Sequence, residues 1–326
     1  MRVQLPHPGT VVPRVSRPRT FAESTELGNA EPAMTPVTAP YFDTLREYLE
    51  WRFPLDVDTM LGKLDRGDIV DELGRTCAPD AGYVAGSLIF FYRDPAPEKP
   101  VPFDVDILFE DEDLLVVDKP HFLASTPKGA YVVESVLVRL RRRLELPELS
   151  PAHRLDRITA GVLVLTKRQE LRKPYHELFA SRQAFKTYEA VAPVRHDLVL
   201  PTTVESRIKK EPGIMWAQTI EGEPNTRTKV ELTATREVDP DTHGGYSEVG
   251  LYKLTPHTGK THQLRIHMAS LDIGILNDNY YPRFYNVDSD DYSNPLQLLS
   301  KTLSFVDPLS GERREFVSQR SLALWD

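Results

Sequence analysis

The chain has 326 residues, of which 40% are hydrophobic, and its formal net charge is −8. This length predicts a sizeable core and room for two domains. A single cysteine, Cys77, excludes an internal disulfide framework. No apolar run reaches the length of about 18 residues that a membrane-spanning helix needs. We therefore expect a soluble, cytoplasmic protein.

The first stretch of the chain is rich in proline and shows no sustained periodicity. Because proline blocks regular structure, residues 1–40 are predicted as an arm that is either extended along the surface or disordered. A second proline-rich stretch, RDPAPEKPV at 93–101, is predicted as a linker. The main domain is then expected to occupy residues 102–326.

Residues 41–92 are predicted as a small α+β module. Apolar residues recur at helical spacing over 42–53, and a second helix fits 57–64. Short strands are expected near Ile69 and over 88–92. Several aspartates make this module acidic.

The main domain is predicted to have an α+β fold, with a mixed, mostly antiparallel central sheet and flanking helices. Helices are predicted over 133–146 and 171–182. Strands are predicted over 114–117, 162–165, 187–192, 226–233, 248–254 and 262–267, with a hairpin over 303–317.

Asp156 lies among basic residues just before one of these strands. The stretch SPAHRLDRITAGVLVLTK, at 150–167, places it between Arg154 and Arg157. It is therefore expected at a strand mouth, where catalytic groups are often carried. Composition alone favours the alternative that Asp156 forms a structural salt bridge. Gly161 is expected where the backbone bends or another chain approaches closely.

Four motifs together resemble the RluA type of RNA pseudouridine synthases. They are LFEDEDLLVVDKPHFLAS at 108–125, HRLD at 153–156, KTYEAV at 186–191 and PHTGKTHQLRIHMA at 256–269. In stretches such as DKPHFLAS and LSPAHRLDRITAGV the sequence more closely resembles RluA-like proteins of actinobacteria. Two positions depart from the family pattern, since Ala160 stands where Ser is frequent and Lys260 where Arg is frequent.

The resemblance implies the pseudouridine synthase fold and isomerisation of uridine to pseudouridine in rRNA or tRNA. It implies RNA as the partner, with no cofactor, metal or membrane, and a monomer is expected. Residues 41–92 weakly resemble the S4-like module that precedes the catalytic domain in many relatives.

The resemblance also implies roles for single residues. Asp156 matches the catalytic carboxylate, Arg265 the arginine paired with it, and Tyr188 the active-site tyrosine. Arg154 matches the arginine that fills the gap left when the target base flips out of the RNA stack. Flipping the base costs a few kcal/mol. The substrate-binding set is predicted as Arg154, Thr159, Lys260, His262 and Leu264. Tyr188 and Leu264 also fit ordinary sheet and core positions.

Two further features each allow both a functional and a purely structural interpretation. His257, His262 and His267 are evenly spaced, but no Cys or Glu completes a ligand set, so hydrogen bonding is expected instead. Arg139, Arg141, Arg142 and Arg143 are predicted either to face RNA or to be merely solvated.

The sequence leaves two alternatives to the isomerase. A catalytically silent RNA-binding protein would keep the fold but would not need Asp156, Tyr188 and Arg265 together. A hydrolase would want a second carboxylate across the glycosidic bond, and the motifs supply no obvious one.

Overall fold

A computed structural model describes residues 2–5, 11–15, 34–54, 56–92, 98–129, 131–211, 216–288 and 290–326. It divides into two compact units, Met1–Pro95 and Ala96–Asp326. None of its described helices is long and apolar enough to cross a membrane.

The N-terminal unit combines two helices with short strands. Its elements are β1 (Arg2–Gln4), β2 (Val11–Val15), β3 (Met34–Thr38), α1 (Leu45–Arg52), α2 (Val57–Arg66), β4 (Ile69–Val70) and β5 (Leu88–Phe91). The strands form a β1-β5-β4 sheet and a separate β2-β3 pair. The side chain of Thr44 accepts a hydrogen bond from Glu47 N and so begins α1, while Gly67, at φ 77°, ends α2 in the left-handed region that favours glycine.

Part of the predicted arm belongs to this unit. β1 pairs with β5, and Leu5 is buried in the same core as Leu49 and Leu64. The module therefore includes residues before its predicted start at 41. Residues 6–10 and 16–33 of the arm lie outside the described residues.

The predicted linker is also shorter than 93–101. Residues 93–97 lie outside the described part, but the carboxylate of Glu98 accepts hydrogen bonds from the backbone N–H groups of Val132, Val133 and Glu134 at 2.7–2.9 Å. Val101 is buried in the main core. The main domain therefore includes residues from 98 onward.

The C-terminal unit is built on one large sheet. Its strands are β6 (Asp106–Glu110), β7 (Leu114–Lys119), β8 (Ser150–Pro151), β9 (Ala160–Thr166), β10 (Phe185–Pro193), β11 (Thr202–Lys209), β12 (Gln218–Ile220), β13 (Thr226–Glu237), β14 (Glu248–Pro256), β15 (Leu298–Val306) and β16 (Arg313–Val317). Its helices are α3 (Val136–Leu144), α4 (Arg172–Ala180) and α5 (Gln263–Ser270).

The strand order is β12-β11-β13-β14-β10-β15-β9-β7-β6, with β16 beside β15 and β8 beside β9. Among the described strands only β9 and β15 pair in parallel. The predicted mixed, mostly antiparallel sheet is therefore confirmed.

Alternate side chains of the central strands enter two cores on opposite faces of the sheet. Leu163 and Leu165 of β9 pack in the core that also holds α3 and α5 residues, whereas Val162 and Val164 pack in the core that holds α4 residues. This follows from the two-residue period of a strand. With both faces covered, β9 is a continuous apolar run, as its sequence predicted.

Gly161 lies where β9 and β15 meet. Its φ is +112°, and a Cβ at this position would lie 2.2 Å from the carbonyl oxygen of Ser300. A side chain is therefore excluded twice, by backbone conformation and by space. The predicted close approach is confirmed, and the neighbour is strand β15 of the same chain.

Two local predictions are wrong. Residues 262–267 were predicted as a strand, but Gln263–Ser270 form a helix, α5, whose residues from Gln263 to Met268 are all buried. Because both polar and apolar side chains are buried, their alternation carried no information about the face of a strand. The strand predicted over 114–117 is also too short, since Asp118 and Lys119 continue β7.

Arginines of α3 donate hydrogen bonds to backbone carbonyls of the neighbouring segments. Arg139 donates to the carbonyls of Val101 and Phe103 and pairs with Glu134. Arg141 donates to Leu149 O and Arg143 to Val105 O. Three of the four arginines, Arg139, Arg141 and Arg143, thus donate hydrogen bonds to nearby backbone carbonyls. Neither the solvated nor the RNA-facing interpretation anticipated these bonds.

Candidate active site

Asp156 lies in the loop between β8 and β9, as predicted. Its side chain is 36% exposed, so the carboxylate reaches solvent. Thr159 is buried, and its N–H donates to the carbonyl of Asp156 at 3.1 Å, which closes the turn before β9. The carboxylate therefore projects from a short turn at the mouth of a buried strand.

The stretch 119–125, which includes most of the DKPHFLAS motif, clamps this loop. The ammonium of Lys119 donates to the carbonyl of Arg157 at 3.0 Å, as well as to Pro120 O and Leu123 O. The Ser125 hydroxyl donates to Leu155 O at 2.8 Å and accepts from Leu155 N at 3.1 Å. These bonds fix the backbone on both sides of Asp156.

His121 adds a further contact, since its Nδ1 lies 2.7 Å from the carbonyl oxygen of Ile158. Lys119 is fully buried, and burial lowers its pKa well below the usual range, an effect that the charge of Asp156 opposes. The sequence motif was matched to a family, but its role as a clamp was missed.

His262 faces Asp156 from the start of α5. Its Nε2 lies 3.9 Å from Oδ2 of Asp156, and burial lowers the His262 pKa to about 4 although the Asp156 charge opposes the shift. The imidazole is therefore neutral at pH 7. Its Nδ1 lies 3.0 Å from the hydroxyl of Tyr281.

The bonds of Tyr281 select the tautomer of His262. The Tyr281 hydroxyl donates to Ala217 O at 2.7 Å, so it has no second hydrogen for the imidazole. His262 must therefore donate through Nδ1, which leaves Nε2 as an acceptor on the side of Asp156.

Tyr188 lies on β10, next to a β-bulge between Thr187 and Tyr188. Burial raises its pKa to about 12, a hydrogen bond with Ser300 opposes the shift, and the charge of Asp156 adds to it. Tyr188 is therefore a buried, neutral phenol within the electrostatic reach of Asp156. Bulges commonly aim a side chain at a site in this way.

Arg265 has a different carboxylate partner from the predicted one. Its Nε donates to Asp278 Oδ2 at 2.7 Å and its Nη2 to Asp278 Oδ1 at 2.5 Å, and both side chains are almost fully buried. Among the described residues, no ion pair joins Arg265 to Asp156. The predicted direct pairing is therefore wrong.

Asp156 still acts on Arg265 through its charge. Burial lowers the pKa of Arg265. The hydrogen bonds and the charge of Asp278 outweigh burial and raise this pKa above its ordinary value, and the charge of Asp156 makes a smaller contribution in the same direction. Asp278 also accepts from the N–H groups of Tyr280 and Tyr281. The sequence reasoning missed Asp278; its only signal was a carboxylate within the NDNYY stretch.

The remaining predicted site residues lie in different surroundings. Arg154 and Lys260 are exposed, and the backbone N–H of Lys260 donates to Gln263 Oε1 at 3.2 Å. Leu264 is buried in the main core. His267 is buried and its Nδ1 lies 2.9 Å from Thr228 Oγ1, so it takes part in hydrogen bonding. Among the described residues no cluster of His, Cys, Asp and Glu is able to hold a metal ion.

The comparisons with known proteins agree with one another. The sequence model of the RNA pseudouridylate synthase family matches residues 113–270. An uncharacterized RNA pseudouridine synthase from Helicobacter pylori is 33% identical over 178 residues, 54% of this chain and 57% of that protein. One from Synechocystis is 30% identical over 227 residues, 67% of this chain and 72% of that protein.

The dual-specificity RNA pseudouridine synthase RluA of Vibrio vulnificus is 28% identical over 213 residues, which cover 63% of this chain and 79% of that protein. The solved structure of human RNA pseudouridylate synthase domain containing 1 aligns with a TM-score of 0.51 and 21% identity. That alignment covers 69% of this chain and 86% of the human one. The chain thus spans less than two thirds of the Helicobacter pylori relative, and the human structure supports the fold.

Proposed function

The chain belongs to the RNA pseudouridine synthase family, in its RluA type, and from this we propose that it converts uridine in RNA to pseudouridine with Asp156 as the essential carboxylate. The reaction breaks the bond between C1′ and N1, turns the detached uracil, and joins C1′ to C5. C5 loses a proton and N1 gains one, so no cofactor is consumed. The carboxylate either attacks C1′ or removes the 2′ proton.

One observation carries this proposal. The Asp156 carboxylate is open to solvent, while Lys119, His121 and Ser125 hold its loop by bonds to the backbone. A carboxylate in a structural salt bridge needs neither this exposure nor such support. Reaction at C1′ needs both, because the attacking oxygen must be accessible and held in one position.

Tyr188 is suited to a role as a neutral phenol. With a pKa of about 12 it is not a base at pH 7, so it accepts a proton only while passing its own to another group. We propose that its ring contacts the uracil and that its hydroxyl relays the proton leaving C5. Asp156, whose charge helps to raise the Tyr188 pKa, is proposed as the acceptor that such a relay requires.

His262 is proposed to bind the substrate. Its Nε2 and the Asp156 Oδ2 are both acceptors, 3.9 Å apart, so they do not bond to each other. A hydrogen-bond donor of the substrate, such as an N–H of uracil or a ribose hydroxyl, satisfies both when it lies near them. The neutral state of His262 makes this acceptor available at pH 7.

Arg154 is proposed to occupy the RNA stack after the target base leaves it. It is exposed two residues before Asp156, which is consistent with reaching into RNA outside the pocket. Lys260 is likewise exposed and suited to contact a phosphate, whereas Leu264 is proposed to line the pocket from the core side. These contacts favour RNA over free uridine, because they offset the cost of unstacking.

We further propose that residues 98–326 form the catalytic domain and that the N-terminal unit influences the choice of RNA. All four family motifs lie within the former range. The substrate is proposed to be rRNA or tRNA, and the protein to act in the cytoplasm as a monomer without metal.

The test is release of tritium from RNA labelled at C5 of uridine, with nucleosides of the digested product separated afterwards. Tritium release together with pseudouridine supports the proposal. RNA binding without release would support the silent RNA-binding alternative, and free uracil would support the hydrolase. Comparison of RNA from cells with and without the gene then identifies the modified nucleotide.

A further inference from the structure

Four aromatic rings follow one another beside α5, and we call them the aromatic ladder: His262, Tyr280, Phe284 and Trp216. The rings of His262 and Tyr280 are 5.6 Å apart with an interplanar angle of 17°, and those of Tyr280 and Phe284 are 5.7 Å apart at 18°. Trp216 and Phe284 are 5.5 Å apart at 27°. Consecutive rings are therefore nearly parallel.

The ladder begins at the active site and ends in solvent. At one end His262 lies 3.9 Å from Asp156, and the guanidinium of Arg265 lies 5.1 Å from the Tyr280 ring centroid. Towards the other end the third ring, Phe284, is 53% exposed, and the last ring, Trp216, is partly buried. A phenylalanine left half in water loses the free energy that burial provides, so this end is suited to a partner that covers it.

An open groove of about 440 Å³ runs beside the ladder. Trp216, Tyr280 and Phe284 line it together with Ile266, Ala269 and Pro282. This volume lies in the range of sites that bind small organic groups, roughly 300–1,000 Å³. No charged side chain is among the described residues that line the groove.

The chemistry of the groove fits an unpaired nucleobase. A base is flat and presents a π-face, so it stacks on a parallel ring, whichever of the four bases it is. The described residues that line the groove include no carboxylate that would repel a phosphate, and Arg283, next to Phe284 in sequence, is exposed. Tyr280, which lines the groove, is also the ring next to His262, so a base in the groove would lie on the same side of the site as Asp156 and His262.

We propose that the aromatic ladder binds one or more unpaired nucleobases of the substrate strand that flank the target uridine. This inference rests on the proposed function and adds a requirement for a single-stranded flank. The aromatic ladder would then help to select loops over regular duplex, since only unstacked bases offer their faces.

The test uses the full-length protein and a fluorescein-labelled single-stranded oligouridylate, with binding measured by anisotropy. Phe284→Leu and Trp216→Leu keep an apolar side chain but remove the ring, and we expect binding to weaken by about tenfold, as for the loss of a stacked base. Phe284→Tyr restores a ring and should bind as the wild type does. Tyr246→Leu, at a residue that is 45% exposed and outside the ladder, should also leave binding unchanged.

A second probe separates bases from phosphates. An abasic oligomer of the same length should bind wild type and Phe284→Leu equally. Equal oligouridylate binding by all variants would overturn the proposal, leaving an apolar peptide or a second copy of the chain as the occupant. An equal loss for the abasic oligomer would also overturn it, because the groove would then act on the backbone.

Tritium release by the wild type keeps this inference separate from the proposed function. Release by the wild type, with unchanged oligouridylate binding by Phe284→Leu, means that only the ladder inference fails. In the opposite case the wild type releases no tritium from any RNA. If Phe284→Leu then binds oligouridylate more weakly than the wild type does, but binds the abasic oligomer equally well, only the isomerase proposal fails.

Discussion

Two sides of the candidate site are built in opposite ways. The Asp156 loop is held by buried side chains that bond to its backbone, among them Lys119 and Ser125. The segment around Phe284 instead leaves large rings exposed. Chemistry at a single carbon needs a carboxylate in a fixed position, whereas binding of varied RNA strands tolerates an adaptable surface. Substitutions on the fixed side should therefore act on rate and stability, and those on the open side on affinity.

The largest effect is expected for Asp156→Asn. The amide keeps the size of the side chain but has no charge with which to attack C1′ or accept a proton, so tritium release should fall by a factor on the order of 10⁴. RNA affinity and thermal stability should remain close to those of the wild type. Asp272→Asn, on an exposed surface carboxylate, is the control. Full activity of Asp156→Asn would contradict the catalytic role and leave Asp156 as a structural residue.

The second effect concerns the buried pair behind the site. Asp278→Asn leaves the buried charge of Arg265 without a carboxylate, which should destabilise the protein by about 3–5 kcal/mol. Asp272→Asn breaks the surface pair with Arg195 and should cost less than about 1 kcal/mol. Urea unfolding of both variants measures the difference, and equal losses would contradict the buried role of Asp278.

The third effect is a pH dependence from His262. Its pKa is about 4 in the folded protein against 6.5 for the ordinary imidazole, so below pH 6.5 the unfolded state binds a proton that the folded state does not. This contribution to stability is fully present above pH 6.5 and is lost as the pH falls towards 4. It amounts to about 3 kcal/mol.

His262→Gln removes this dependence without changing the other buried histidines. The difference in unfolding free energy between wild type and variant should therefore change between pH 7 and 4.5, with the wild type losing more stability. Parallel curves for the two proteins would show that His262 already titrates near its ordinary pKa.

A smaller effect is expected for the clamp. Ser125→Ala removes both hydrogen bonds to Leu155, which should cost about 1–3 kcal/mol and lower kcat, because the Asp156 loop loses one of its supports. Ser181→Ala, whose hydroxyl bonds to Glu177 O at the exposed end of α4, is the matched control. An unchanged kcat at saturating RNA would show that the loop needs no such support.

The smallest effect is expected for Arg154→Ala on the open side. If this exposed side chain fills the gap in the RNA stack, its loss should raise KM by about tenfold, or about 1.4 kcal/mol, with stability unchanged. Steady-state tritium release over a range of RNA concentrations measures KM and kcat separately. A fall in kcat alone would place Arg154 with the fixed side instead.

Several features followed from the sequence because they depend on nearby residues. The apolar run after Asp156 predicted a strand buried on both faces, and Gly161 predicted a close approach that the carbonyl of Ser300 now explains. The mostly antiparallel sheet, the helix over α3 and the family were predicted in the same way. Hydrophobic periodicity, turn residues and ordered motifs are properties of short stretches, so they can be read without the fold.

The partners of the charged groups were decided only by the tertiary structure. Arg265 pairs with Asp278 and not with Asp156, and Lys119 bonds to a carbonyl 38 positions away. The chain contains 48 acidic residues, so charge alone could not say which one the fold brings to Arg265. The strand predicted over 262–267 failed for a different reason, because burial of every residue from Gln263 to Met268 removes the contrast between inside and outside on which such patterns depend.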